Sequence, residues 1–157
     1  MTRKLVQPGI PGADAPRSVL YLCQMNAIRS PMAAAITRTL FPHIVYSRSA
    51  GIAKGMRDNF VDVVMEEVGI DVSTHHPHTF EELEEGQFEL VVALTPQARD
   101  HALEVWGTPE HDLEYWATSD PSLEQGSRSR KLDAYRTVRD QLLEKIKDRL
   151  EWKPAKL

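Results

Sequence analysis

Short apolar runs alternate with segments typical of helices along this chain of 157 residues. Residues 18–22 and 88–94 are almost wholly apolar, as expected of strands that are covered on both faces. Shorter runs at 43–46 and 113–116 predict two further strands. Helices are predicted between and after these runs, over 31–38, 57–68, 97–105 and 127–150. The alternation predicts an α/β fold, a three-layer sandwich with a four-stranded parallel sheet and helices on both faces.

The two ends of the chain differ in composition from the segment between them. Residues 1–17 hold three prolines and two glycines, with little that could build a core. We expect them to form an extended, poorly ordered arm. Residues 18–152 are predicted to be one domain, because a chain of this length buries roughly 70% of its unfolded surface on folding and needs no disulfide or metal cross-links. Residues 153–157 are expected to be a short tail.

Composition excludes several classes of protein. The formal net charge of −4 argues against a nucleic-acid binder, which normally carries a basic surface. No apolar run approaches the roughly 18 residues that span a bilayer, and the first residues lack the apolar stretch of a secretory signal, so we expect a cytoplasmic protein without a membrane partner. The single cysteine excludes an internal disulfide and a multi-cysteine zinc site. His75, His76 and His78 lack ligands at a convincing spacing, so we expect no metal and no cofactor.

The segment between the first strand and the first helix carries a cysteine and an arginine six residues apart, Cys23 and Arg29. Ser30 and Pro31 follow, a pair typical of a helix start, with Ser30 near the cap. A loop that leads into a helix N-terminus binds anions through its backbone N–H groups and the helix dipole. The same field favours the thiolate form of the cysteine.

These parts together suit the attack of sulfur on phosphorus. Arg29 can hold two oxygens of a phosphate through its planar guanidinium, and the Ser30 hydroxyl can donate to the sulfur. A lone cysteine is more often a small buried core residue. The spacing of Cys23, Arg29 and Ser30 would arise by chance about once in 150 such cysteines, and its place between a strand and a helix favours the nucleophile.

Several segments in order along the chain resemble the low-molecular-weight protein tyrosine phosphatases, whose fold the thioredoxin-coupled arsenate reductases share. The first segment is Val19 to Cys23, followed by Asn26 and by Arg29 to Ala33. The others are Ser47 to Gly51, Gly69 to His75, and the dipeptide Asp120-Pro121. The resemblance covers about residues 18–152.

The resemblance implies a role for each matching residue. Cys23 would be the nucleophile and form a cysteinyl-phosphate. Asp120 would be the general acid and then the general base, although Asp-Pro is also a common turn dipeptide. Asn26 and Ser49 would hold the loop in shape, with His75 extending that network. The phosphate would be bound by the loop residues Gln24, Met25, Asn26, Ala27, Ile28, Arg29 and Ser30.

Three departures from the family pattern limit what the resemblance implies. Ile28 stands where eukaryotic members carry a second cysteine, so no neighbouring disulfide can protect Cys23. Ser122 and Leu123 follow Asp-Pro where the family often has aromatic residues. The substrate slot is therefore expected to be shallower, or built by Leu123, Ile52 and Met25. Since the chain has no further cysteine, the thioredoxin-coupled relay is excluded.

The sequence thus predicts a cysteine-dependent phosphomonoester hydrolase, a protein tyrosine phosphatase by resemblance. Its substrate would be a phosphorylated protein or a small phosphomonoester. Two alternatives stay open. One is an arsenate reductase that uses an external thiol such as glutathione or mycothiol. The other is a non-catalytic module that binds phosphoproteins, although binding alone requires neither a thiol nor an acid. The sequence sets no oligomeric state.

Overall fold

The computed structural model of the chain describes residues 5–83 and 87–155. In chain order, the helices and strands within these residues are β1 (Gly9–Ile10), β2 (Ser18–Cys23), α1 (Arg29–Leu40), β3 (Tyr46–Gly51), α2 (Asn59–Glu66), β4 (Leu90–Ala93), α3 (Pro96–Glu104), β5 (Leu113–Tyr115), α4 (Arg128–Arg149) and β6 (Lys153–Pro154). Short 3₁₀ turns lie at Phe80–Glu82, Glu110–Asp112 and Pro121–Leu123.

Four of the strands form a parallel sheet in the order β3-β2-β4-β5. The register places Cys23, the last residue of β2, opposite Gly51, the last residue of β3. In β2 every residue after Ser18 is buried, which explains why this strand has no polar alternation. The carboxyl ends of β2 and β3 therefore meet at one edge of the sheet, where ligands bind in open α/β folds.

The sheet is covered on both faces. Val19, Tyr21 and Cys23 point into a core shared with α1, α2 and α4. Leu20 and Leu22 point to the opposite face, where Ala98 and Ala102 of α3 pack on them. The result is a three-layer sandwich with helices on both sides of a four-stranded parallel sheet, so the predicted fold class is confirmed.

The position of β3 and the start of α1 differ from the sequence prediction. Residues 43–45 belong to the turn after α1, where His43 has a φ of 65°, and the strand begins at Tyr46. It escaped the apolar pattern because Ser47 and Ser49 are buried polar residues. Helix α1 begins at Arg29, and Ile28 at its N-cap makes no side-chain cap.

Residues 5–17 pack against the domain, which differs from the poorly ordered arm expected from their composition. Strand β1 pairs antiparallel with β6, and the Gly12 N–H donates to the Leu150 carbonyl at 2.9 Å. Glycine is required at residue 9, because a Cβ there would overlap the Lys153 carbonyl and the Trp152 indole. The division of the chain at residues 17 and 152 stays a prediction. The first four residues of the arm and residues 156–157 of the tail lie outside the described residues.

Among residues 5–83 and 87–155, no helix combines the length and the apolar character needed to cross a membrane.

Candidate active site

A cleft of about 730 Å³ opens at the carboxyl end of β2, above the loop that joins β2 to α1. Six residues that the sequence predicted for the site line it: Cys23, Gln24, Met25, Ala27, Ile28 and Arg29. Asp120, from a distant part of the chain, lies on the same cleft. The structure thus brings together the predicted nucleophile, arginine and acid.

Cys23 and Ser30 are in direct contact in this loop. The Cys23 Sγ lies 2.8 Å from the Ser30 Oγ, and both residues are buried. The Ser30 Oγ also accepts a hydrogen bond from the Asn26 side-chain amide at 3.0 Å, so its own proton can be donated to the sulfur or, over 3.5 Å, to the Ala50 carbonyl. A hydroxyl that donates to the sulfur stabilises negative charge there. The Ser30 hydroxyl therefore contacts the Cys23 sulfur. It does not cap the helix, contrary to the sequence prediction.

Asn26 holds the loop in a left-handed backbone conformation. Its φ is 52°, a region that asparagine enters more readily than most residues. Its side chain is fully buried and fully hydrogen-bonded. The amide nitrogen donates to Ser30 at 3.0 Å and to Ser49 at 2.9 Å, and the amide oxygen accepts from the His78 N–H at 3.0 Å. The predicted pair of Asn26 and Ser49 is therefore in contact.

His75 supports the same turn from outside. Its Nε2 lies 2.9 Å from the Asn26 carbonyl oxygen, and because a carbonyl only accepts, this ring nitrogen must carry the proton. Burial lowers the pKa of His75 below its usual value. The Arg57 guanidinium donates to the His75 carbonyl at 2.9 Å and to the Val72 carbonyl at 2.8 Å, and it pairs with Asp62.

Arg29 and Asp120 face each other across the cleft. The Arg29 guanidinium donates to the Thr118 carbonyl at 2.9 Å, which ties it to the loop that carries Asp120. Another of its nitrogens lies 4.0 Å from the Asp120 Oδ2. The other carboxylate oxygen, Oδ1, accepts from the Ser122 N–H at 2.9 Å and from the Ser122 hydroxyl at 2.6 Å.

The segment after β3 runs alongside the loop and fixes its outer edge. The Ala53 N–H donates to the Gln24 carbonyl at 2.9 Å, and the Gly55 N–H donates to the Met25 carbonyl at 2.8 Å. At Gly51 a Cβ would lie 2.9 Å from the Asn26 backbone nitrogen. Glycine is therefore required where the two backbones approach each other.

The outer wall of the cleft differs from the sequence prediction. Phe60 and Tyr135 line it, with ring centroids 5.2 Å apart, and the Tyr135 hydroxyl donates to Asp58 at 2.6 Å. Of the residues expected to build a slot, Met25 lines the cleft. Ile52 is partly buried and packs against the core on the α3 side, and Leu123 is 75% exposed. Phe60 and Tyr135 were not predicted to line the cleft, because their helical spacing equally fits a core stripe. Asp58 was not predicted either, because its contact with Tyr135 is long-range.

The comparison with protein families gives this site its context. The model of the low molecular weight phosphotyrosine protein phosphatase family matches residues 18–156. The chain belongs to this family.

Individual relatives carry more than one activity in their names. The glutaredoxin arsenate reductase of Synechocystis is 28% identical over 132 residues, which cover 84% of this chain and 95% of that protein. The YwlE arginine phosphatase of Geobacillus stearothermophilus superposes with a TM-score of 0.67 at 26% identity, over 86% of this chain and 90% of its own. The tyrosine phosphatase Wzb of Escherichia coli K30 superposes with a TM-score of 0.72 at 19% identity, over 87% and 97%.

This member of the phosphatase family has a cleft built from the thiol, guanidinium, carboxyl and hydroxyl groups of its own chain. Across the described part of the chain, no group of three or more His, Cys, Asp or Glu side chains is placed to hold a metal ion. His75 and His78 have ring centroids 6.2 Å apart, and His75 is engaged with the Asn26 carbonyl.

Proposed function

We propose that the protein is a cysteine-dependent phosphomonoester hydrolase that forms a cysteinyl-phosphate intermediate, and that phosphotyrosine in proteins is its substrate. The observation that carries the proposal is the shared cleft: Cys23 with its Ser30 partner lies in the loop, and Arg29 and Asp120 face each other above it. Family membership supports the same reaction class.

In the first step the Cys23 thiolate attacks the phosphorus atom. The P–S bond forms while the ester P–O bond breaks, and Asp120 in its protonated form gives its proton to the departing oxygen. Arg29 and the backbone amides of the loop balance the charge on the other phosphate oxygens. The alcohol or phenol leaves, and the phosphoryl group stays on the sulfur.

In the second step water attacks the cysteinyl-phosphate. Asp120, now ionised, accepts a proton from that water as the P–O bond forms and the P–S bond breaks. Inorganic phosphate leaves and Cys23 returns as the thiolate. The Ser30 hydroxyl, 2.8 Å from the sulfur, stabilises the thiolate as it departs from phosphorus.

The aromatic wall supports a preference for an aryl phosphate. Phe60 and Tyr135 supply apolar ring surface to the cleft, in place of the aromatic residues that Ser122 and Leu123 do not provide. An aryl ring that enters beside Phe60 would replace water on that surface, which favours binding.

The test is hydrolysis of p-nitrophenyl phosphate from pH 5 to 8 by reduced wild type, Cys23→Ser and Asp120→Ala. We expect Cys23→Ser to abolish turnover while phosphate still raises its melting temperature, because the loop and Arg29 remain. For phenyl phosphate, Asp120→Ala should lower kcat by about 10²- to 10⁴-fold. Folded wild type without turnover would contradict the proposal. If wild type and Cys23→Ser bind a phosphopeptide with the same affinity and neither shows turnover, the protein is a binding module.

The glutaredoxin arsenate reductase relative favours one second candidate, arsenate reduction. Cys23 would form a thiolate–arsenate adduct with loss of water. An external thiol would then attack the Cys23 sulfur, so that arsenic(V) leaves as arsenite with two electrons and a mixed disulfide forms. A second external thiol would restore Cys23. In the assay, glutathione oxidation that requires both arsenate and Cys23 would support this candidate, and none would exclude it.

A further inference from the structure

Ser122 contacts the candidate acid through two donors. Its backbone N–H and its hydroxyl donate to the same oxygen of Asp120, Oδ1, at 2.9 and 2.6 Å. Pro121 precedes it at the start of a 3₁₀ turn, and the Asp120 side chain caps that turn. Serine stands at this position, where the family often has an aromatic residue, and its hydroxyl supplies the second contact to Asp120.

The two donors make the two oxygens of Asp120 chemically different. A carboxyl proton on Oδ1 would point toward the Ser122 N–H, which can only donate, and would force the Ser122 hydroxyl to turn from donor to acceptor. The proton of the neutral acid therefore resides on Oδ2, which is directed toward Arg29 at 4.0 Å. Oδ2 is thus the oxygen that can deliver a proton to a leaving group held above Arg29.

We propose that Ser122 is a positioning residue for the acid: its hydroxyl fixes the carboxyl plane and keeps the transferable proton on Oδ2. This inference rests on the proposed hydrolase function. Without the hydroxyl, the Ser122 N–H still holds the turn, but the carboxyl gains rotational freedom. A fraction of the molecules then carries the proton on Oδ1, away from the leaving group.

The test compares Ser122→Ala with Ser122→Thr, which keeps the hydroxyl, on two substrates. p-Nitrophenyl phosphate has a good leaving group that needs little protonation, whereas phenyl phosphate depends on the acid. For Ser122→Ala we expect kcat to fall about tenfold on phenyl phosphate and less than about twofold on p-nitrophenyl phosphate. Ser122→Thr should restore most of the loss. Ser119→Ala is the matched control, since Ser119 is exposed on the same loop and contacts neither Asp120 nor Arg29 through a side-chain hydrogen bond.

The role of Ser122 and the hydrolase function predict different outcomes. If wild type hydrolyses both substrates and Ser122→Ala matches it on phenyl phosphate, the positioning role is wrong and the hydrolase function stands. Equal losses on both substrates, or a loss that Thr does not restore, would indicate a general structural effect and also overturn the role. If wild type hydrolyses neither substrate, the hydrolase function itself fails.

Discussion

The side-chain amide of Asn26 donates a hydrogen bond of 2.9 Å to the hydroxyl of Ser49 and so joins the loop after β2 to strand β3. The same nitrogen donates to Ser30, the partner of the Cys23 sulfur. A buried serine in the middle of an edge strand therefore takes part in shaping the loop beside Cys23.

Asn26→Ala should destabilise the protein much more than Ser49→Ala. The first variant removes three buried hydrogen bonds and places alanine at a positive φ, which we expect to lower the free energy of unfolding by about 2–4 kcal/mol. The second removes one bond and should cost about 1 kcal/mol. Urea unfolding of both variants measures the difference. Equal losses would mean that the Asn26 side chain stabilises the protein only through its hydrogen bond to Ser49.

His75 should make stability depend on pH in mildly acidic solution. Burial lowers its pKa in the folded state, so between the ordinary value of about 6.5 and the folded value the unfolded chain binds more protons. Stability must therefore fall as the pH drops through this window. His75→Gln keeps a donor for the Asn26 carbonyl without titrating. Urea unfolding from pH 5 to 8 should show a flatter dependence for this variant, and identical slopes would refute the assignment.

Tyr135→Phe should loosen the outer wall of the cleft. Burial and the Asp58 carboxylate raise the pKa of Tyr135, so it remains a donor to Asp58 at 2.6 Å. Removing a hydrogen bond to a charged group should cost about 1.5–3 kcal/mol of stability and raise KM for phosphotyrosine peptides. Tyr115→Phe, on an exposed ring beneath Arg99, is the matched control and should change little. If Tyr115→Phe destabilises the protein as much as Tyr135→Phe, the loss cannot be attributed to the hydrogen bond between Tyr135 and Asp58.

Gly9→Ala should break the pairing of β1 with β6 while leaving catalysis intact. The added Cβ would overlap the Lys153 carbonyl and the Trp152 indole, so we expect a loss of about 1–3 kcal/mol. Differential scanning calorimetry measures the loss, and p-nitrophenyl phosphate turnover provides the activity control. An unchanged melting temperature would show that the pair adds nothing to stability.

The sequence predicted the parts of this molecule whose signals are local. Strand β2 is a continuous apolar run, and Cys23 and Arg29 are separated by one short loop, so both could be placed without a structure. Strand β3 was misplaced because its buried residues include two serines, whose burial depends on partners such as the Ala34 carbonyl that only the fold supplies.

The cleft wall required information that no short segment carries. Phe60 and Tyr135 belong to helices whose apolar stripes fit burial in the core. Asp58 and Tyr135 are hydrogen-bonded although they are 77 residues apart in the sequence. Ser122 was noted as a departure from the family pattern, but its second bond to Asp120 depends on the geometry of one turn. Long-range contacts and side-chain direction are what the sequence did not reveal.

The pairing of β1 with β6 has a practical consequence for handling the protein. The Gly12–Leu150 bond places this pair beyond the C-terminal end of α4, next to the segment that enters β2, whereas the cleft opens where β2 ends. A tether to a sensor surface or a fluorescent fusion attached near Ile10 or Lys153 would therefore lie at the end of the sheet away from the cleft, and the mouth of the cleft would stay open to the solution.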